Sequence, residues 1–257
     1  MINESHHVVV GLGEIGQPLF DLLSQAYPVK GKDLESKLMN GNVEVLHICV
    51  PYEIGDFVKV TAEYIQAYDP ELVIIHSTVV PGTTREIFEK TGAKLVYSPV
   101  RGKHSRMRED LLHYTKFVAG TYKEAQEQAV DHLKGAGFTT QVIGSPETLE
   151  LAKLVSTTYF GLLIAWAQEV ERFANELDVD YDDVMALTTE VDYFTPVIFQ
   201  PGFIGGHCVV PNTYLLEQVR KSDFLDAIRE SNEAKKTEWL SQGMDLQQRI
   251  SPRRFEE

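Results

Sequence analysis

Cysteine is nearly missing from this chain. Its 257 residues hold two, Cys49 and Cys208, far apart and with no Cys-x-x-Cys spacing. That excludes a disulfide scaffold and a structural zinc site, predicts no metal, and fits a reducing cytoplasm. Positive charge is also scarce, with Lys+Arg 24 against Asp+Glu 38 and a formal net charge of −14. Such a field repels nucleic-acid phosphates and anionic membranes. Only the Arg101–Arg108 stretch and the Arg253-Arg254 pair concentrate basic groups, and both are too short to reverse the sign. No run approaches the roughly eighteen apolar residues of a membrane span, and the N-terminus lacks the basic-then-apolar pattern of a secretory signal. These absences predict a cytoplasmic protein with neither nucleic acid nor membrane as partner. His6 and His7 are neighbours on a strand and point to opposite faces, so they read as a solvated strand start with no role.

The N-terminal half carries the first positive signal. Val8-Val-Val-Gly11-Leu-Gly13-Glu-Ile-Gly16 is a β-branched run ending in Gly-x-Gly-x-x-Gly, and helical spacing of Leu19, Phe20, Leu22 and Leu23 follows. In that strand–turn–helix context Gly11 makes the turn, Gly13 admits a pyrophosphate to the helix N-terminus, and Gly16 allows close helix–strand packing. A second strand, Val29–Lys32, ends at Asp33, which is placed to accept hydrogen bonds from adenosine ribose hydroxyls. This favours NAD, while Lys32 and Lys37 leave NADP open. Further strands are expected at Val43–Val50, Leu72–His76, Lys94–Tyr97 and Thr115–Ala119, and helices at Gly55–Ala67, Thr83–Lys90 and Lys123–Gly135. The alternation predicts a Rossmann-like doubly wound, mostly parallel α/β sheet. Between Asp33 and Val43 there is room for about two helical turns. Ligands bind at the carboxyl ends of such strands. The candidate cofactor contacts are therefore Gly11, Leu12, Gly13, Glu14, Ile15, Gly16, Asp33, Val50, Pro51 and Thr78. Thr83 and Thr84 read equally as cofactor contacts or helix caps.

The second half reads as an all-helical domain. From Ser145-Pro146 the chain runs to about Leu177 with no breaker except Gly161. Leu151, Leu154, Val155, Leu162, Trp166, Val170 and Phe173 cover more than one face of this long central helix, which predicts a homodimer through residues 146–177. On it Lys153 either snorkels to solvent or meets an anion. Helices are also expected at Tyr181–Thr188, Thr213–Val219 and Phe224–Ser241. Near the end stands Pro201-Gly-Phe-Ile-Gly-Gly-His-Cys208-Val-Val-Pro211. Gly202, Gly205 and Gly206 let backbone approach a ligand, and Cys208 follows as either a nucleophile or a small core side chain on an apolar strand. The expected division is a dinucleotide-binding domain over 1–144, a helical domain over 145–245 and a tail over 246–257, frayed or bound by a partner.

Gly11–Gly16, His47-Ile-Cys-Val-Pro51, His76-Ser-Thr-Val-Val-Pro-Gly82, Glu150-Leu-Ala-Lys153 and Gly202–Pro211 occur in the order found in the UDP-glucose/GDP-mannose dehydrogenases. The chain resembles that family over roughly residues 8–220. The resemblance implies an NAD-dependent oxidation of a sugar-nucleotide alcohol, repeated through a thioester on the cysteine matching Cys208. It also implies an oxyanion-stabilising role for Lys153. Thr157 replaces the family's asparagine, Asn212-Thr213 its Lys-Asp, and Val100 its glutamate, so the groups that activate hydrolytic water are missing. After residue 220 only 37 residues follow, too few for the family's third domain. The expectation is a CH–OH oxidoreductase with an incomplete catalytic set. A catalytically silent NAD-binding dimer of regulatory or scaffolding role and a small hydroxy-acid dehydrogenase are the alternatives.

Overall fold

The computed structural model describes residues 5–33, 42–190, 197–206, 208–246 and 253–254. The chain forms two compact units, Met1–Lys153 and Leu154–Glu257.

In the first unit, strands β1 (His6–Val10), β2 (Val29–Lys32), β3 (Val43–Ile48), β4 (Leu72–Ile75), β5 (Leu95–Tyr97), β6 (Lys116–Gly120) and β7 (Thr140–Val142) form one sheet, ordered β2-β1-β3-β4-β5-β6-β7. All neighbouring pairs are parallel except β5–β6. The helices are α1 (Gly16–Leu23), α2 (Phe57–Tyr68), α3 (Thr83–Thr91), α4 (Met107–His113) and α5 (Lys123–Gly135). Strand alternation buries both faces, as a parallel sheet covered by helices requires. Val8, Val10, Leu46, Ile48, Val73 and Ile75 join one core cluster, and Val9, Val45, Leu72 and Ile74 the other. The strand order reverses around β1, so the crevice for a ligand opens at the carboxyl ends of β1 and β3.

Several details depart from the sequence expectation. The short elements α4 and β7 arise in stretches whose polar composition hides their periodicity. The segment between Asp33 and Val43, including Lys37, lies largely outside the described residues. His6 and His7 are not a solvated start, for they are 3% and 4% exposed. His7 lies against the rings of Tyr27 and His132.

Helix α6 (Pro146–Glu176) begins in the first unit and continues into the second. Ser145 caps it by accepting from Thr148 N at 3.3 Å, with Pro146 in the first turn, where a missing N–H costs nothing. The second unit adds α7 (Tyr181–Thr189), α8 (Val209–Glu217), α9 (Asp223–Ser241) and a two-residue pairing of β8 (Val197–Ile198) with β9 (Arg253–Arg254). The rest of the tail lies outside the described residues apart from Leu246. Gly161, which α6 passes through without a break, has a packing reason. A Cβ there would lie 2.9 Å from Val209 Cγ1 and 3.3 Å from Ile228 Cγ2, so α8 and α9 approach α6 through that notch. The segment after Cys208 is helix and not strand. Pro211 is tolerated in a first helical turn, so α8 starts at Val209 and not at Thr213.

Candidate functional site

The glycine turn is built as its spacing predicts. Gly11 has φ +88°, and a Cβ on it would lie 2.9 Å from the carbonyl carbon of Cys49. A Cβ on Gly16 would lie 1.7 Å from the Gly11 carbonyl oxygen, so only glycine lets α1 leave the strand this tightly. Gly13 is exposed, and a Cβ there would meet nothing within 4 Å. Leu12 folds its side chain over Gly31 on β2 and can offer a ligand only backbone. Ile15 caps α1 with no side-chain hydrogen bond among the described residues. Glu14 is exposed and pairs with His104 Nδ1 at 2.5 Å.

The neighbouring strand ends complete this edge. Val50 is core, with its carbonyl accepting from Ser77 Oγ at 2.6 Å, while Pro51 is exposed. Thr78 is half-buried just beyond β4, and Asp33 is exposed just beyond β2. Lys32 turns back so that its ammonium bonds the Asp33 carbonyl oxygen.

A second feature is the loop Ser98-Pro99-Val100-Arg101. Lys153 does not snorkel to solvent; its Nζ donates to the Val100 carbonyl at 2.9 Å. Lys116 donates to the carbonyls of Ser98 at 2.8 Å and Pro99 at 3.3 Å. Three consecutive carbonyls are thus held by two ammonium groups. Burial pushes Lys116 down to about 7. Arg101 donates to the Thr115 carbonyl at 2.7 Å and lies over the Phe117 ring.

Three histidines, two of them seen in the sequence only as the first residues of motifs, run into the same loop. His76 Nδ1 lies 2.7 Å from the Ser98 carbonyl oxygen, His76 Nε2 lies 3.0 Å from His47 Nδ1, and His47 Nε2 lies 3.1 Å from His132 Nε2. A carbonyl can only accept, so His76 Nδ1 carries hydrogen and its Nε2 accepts. His47 must then donate from Nδ1 and accept at Nε2 from His132. The bonds run in one direction from α5 to Ser98. Burial holds His47 and His76 well below the ordinary histidine range and puts His132 at about 3.

Glu150, one turn before Lys153, was legible only as part of a motif. Its buried carboxylate accepts from Gly82 N at 2.6 Å, Thr84 N at 2.9 Å and Thr84 Oγ1 at 2.6 Å. The cap of α3 is therefore supplied by α6, while Thr83 Oγ1 bonds the Val80 carbonyl. Burial raises the Glu150 carboxyl, against which these three donors act.

In the second unit, Asn232 clasps the glycine segment by accepting from Ile204 N at 2.7 Å and donating to Ile204 O at 3.2 Å. The Gly202 carbonyl accepts from Gln168 Nε2 at 2.8 Å. Gly205 and Gly206 are exposed, Gly206 with φ +80°. Cys208 is half-buried at the N-cap of α8, and His207 lies outside the described residues. Thr157 is half-buried one turn past Lys153 on α6. The other thiol differs, for burial pushes Cys49 up to about 12.

A switch-point crevice, a tight glycine turn and a long helix bearing an inward lysine define a doubly wound α/β protein with a helical extension, the architecture of many dehydrogenases. Residues 147–234 match the UDP-glucose/GDP-mannose dehydrogenase family, central domain. A UDP-N-acetyl-D-mannosamine dehydrogenase of Methanococcus maripaludis is 25% identical over 279 aligned positions, covering 88% of this chain and 64% of that protein. Among solved structures, a UDP-D-ManNAc dehydrogenase from Pyrococcus horikoshii has a TM-score of 0.79 at 20% identity, covering 91% of this chain and 70% of that one. A 3-hydroxyisobutyrate dehydrogenase of Mycobacterium tuberculosis has a TM-score of 0.70 at 15% identity, covering 93% and 94%. The two structural likenesses establish the fold. The chain spans less than two thirds of the length of the archaeal curated relatives it matches, from 54% to 65%.

Proposed function

We propose that this chain is the cofactor-binding and helical part of an NAD-dependent oxidoreductase that acts on a CH–OH group, with a sugar nucleotide as the favoured substrate class. The observation that carries this reading is the family match over 147–234, which encloses both Lys153 and Cys208. The residues of the glycine turn fit a dinucleotide, since the flank of Gly13 is open while those of Gly11 and Gly16 are filled by backbone. Gly11 to Gly16 would hold the pyrophosphate, Asp33 the ribose hydroxyls, and Val50, Pro51 and Thr78 the nicotinamide side. NAD supplies the hydride acceptor when bound. Lys32 is turned into its own backbone, which supports NAD over NADP.

Lys153 would place its ammonium against the oxygen of the carbinol carbon as negative charge develops there. Cys208 is the proposed nucleophile, with Thr157 and the backbone of Gly202, Gly205 and Gly206 contacting substrate. The residues that replace the family's water-activating groups are absorbed into packing. Val100, Asn212 and Thr213 are 4%, 5% and 0% exposed, and Thr213 Oγ1 donates to the Val210 carbonyl at 2.6 Å. None can deprotonate water, so a single alcohol–carbonyl step is proposed in place of a double oxidation. The same burial favours a second reading, a silent NAD-binding dimer.

The dimer itself is proposed through α6. Leu151, Val155, Tyr159, Leu162, Trp166 and Phe173 are 40–59% exposed. At 100° per residue they fall within an arc of about 80° along the whole helix. An eighteen-residue window of α6 also has the length and mean hydropathy, 1.2, of a membrane span. A helix that packs against a second copy has that composition too. The division into functional pieces at 1–144, 145–245 and 246–257 belongs to the same proposal.

Thermal-shift titration with NAD, NADP and UDP-N-acetylhexosamines tests the reading, with NAD expected to raise the melting temperature most. Iodoacetamide at neutral pH should label Cys208 far faster than Cys49, whose thiol is held at about 12. Equal, slow labelling would select the silent reading. Formation of two NADH per carboxylate would overturn the single-step proposal.

A further inference from the structure

The glycine turn carries a carboxylate where an anion is to bind. Glu14 stands between Gly13 and Ile15, the residue that caps α1. A pyrophosphate at that helix N-terminus meets favourable backbone dipoles, yet a nearby carboxylate repels it. The structure answers this charge from a distant part of the chain. His104 Nδ1 lies 2.5 Å from Glu14 Oε2, and the His104 side chain is 18% exposed against 52% for Glu14.

His104 is presented by a built loop. It sits in a short 3-10 turn, His104–Arg106, that leads into α4. Asp110 anchors that turn from inside, accepting from Lys103 N at 2.8 Å and pairing with Arg106 Nε at 3.0 Å while only 2% exposed. Gly102, at φ +147°, passes so close that a Cβ would lie 2.6 Å from Asp110 Cβ. The basic Arg101–Arg108 stretch is therefore anchored by the buried Asp110 that follows it and aims one imidazole at the glycine turn.

Building on the proposed cofactor reading, we infer that His104 is a positioning residue for the dinucleotide. It holds the Glu14 carboxylate to one side of the turn by a hydrogen bond, and as an imidazolium it also offsets the charge, so that the pyrophosphate can dock on the amides of Gly13 to Gly16. Glu14 in turn is a liability that makes cofactor affinity depend on the loop around Asp110. The bond requires hydrogen on His104 Nδ1, which both the neutral Nδ1–H form and the imidazolium supply.

The test is NAD binding, followed by calorimetric titration of the wild-type chain, His104→Ala, Glu14→Gln and the double variant. His104→Ala should weaken NAD binding about tenfold, equivalent to one unopposed nearby like charge. Glu14→Gln keeps the backbone amide that contacts the pyrophosphate and removes only the carboxylate, so it should bind NAD more tightly than wild type, and the double variant should return to within about twofold of Glu14→Gln. Adenosine, which lacks the pyrophosphate, should bind all four alike. Both positions are at the surface edge of the turn, and matching thermal melts check that each variant folds. NAD binding unchanged by His104→Ala, or a loss that persists in the double variant, overturns the inference and leaves the cofactor reading standing. Absence of NAD binding by all four proteins overturns both.

Discussion

The two units of this chain solve burial in opposite ways. The first closes its core alone, with both sheet faces covered and β-branched and aliphatic side chains at or near 0% exposure along β1, β3 and β4. The second gathers its buried cluster around Ala165, Ile204 and Ile228 and leaves large apolar side chains outside, among them Trp166 at 59% and Phe173 at 55%. Closure by its own residues makes the first unit sensitive to what lies within it, above all its buried polar file. Incomplete closure makes the second sensitive to what it meets. The contrast can be broken or sharpened by four measurements.

Acid should have the largest effect and should fall on the first unit. His47 and His76 are held neutral, well below the ordinary histidine value near 6.5, chiefly by burial. The unfolded chain then takes up protons that the folded one does not, so stability is full above about pH 6.5 and falls as the pH drops. Below that value the loss runs at about 1.4 kcal/mol per histidine per pH unit for as long as the folded state keeps the pair neutral. Urea unfolding at stepped pH, followed by a probe in the first unit, measures it; a flat profile would mean the file is not buried and neutral.

Next in size, Trp166→Glu should weaken self-association about a hundredfold, or about 3 kcal/mol, in sedimentation velocity. A wild-type chain that stays monomeric at high concentration would remove the dimer. Gly16→Ala should cost the first unit about 2–3 kcal/mol, because its Cβ falls 1.7 Å from the Gly11 carbonyl oxygen and backbone must move. Its melting temperature should drop while association through α6 is unaffected. Smallest, Asn232→Ala should cost about 1–2 kcal/mol in the second unit by leaving the buried Ile204 amide and carbonyl unpaired. Faster iodoacetamide labelling of Cys208 would register the loosened glycine segment.

The order of strands and helices was legible because periods of 2.0 and 3.6 survive in the first unit, where β-branched runs alternate with amphipathic stretches. Lys123–Gly135 is seen in the structure with the bounds read from sequence. The antiparallel turn at β5–β6 was not legible, since nothing in Lys116–Gly120 records its direction. The glycines announced the turn, as positive φ and close approach leave a residue-type signature. The polar partners left none. Glu150 finds Thr84 across 66 residues and His132 finds His47 across 85, and only the fold brings such pairs together. Histidine patterns as polar in any hydropathy reading, so a file of buried imidazoles looks like interrupted strand. The Lys153 and Cys208 motifs, by contrast, stand out in the sequence because rare residue types sit among glycines and apolar helix.

The bond from Glu150 to the start of α3 bears on how this protein can be taken apart. The first turns of α6 supply a carboxylate to Gly82 and Thr84 and an ammonium to the Val100 carbonyl. A gene fragment ending at residue 144 would delete these donors and acceptors and leave a helix end and a loop carbonyl unserved within the remaining piece. One ending past Lys153 would retain them. The long helix is thus shared property, and recombination or engineering that swaps the cofactor-binding half between relatives should carry the helix's opening turns along with it.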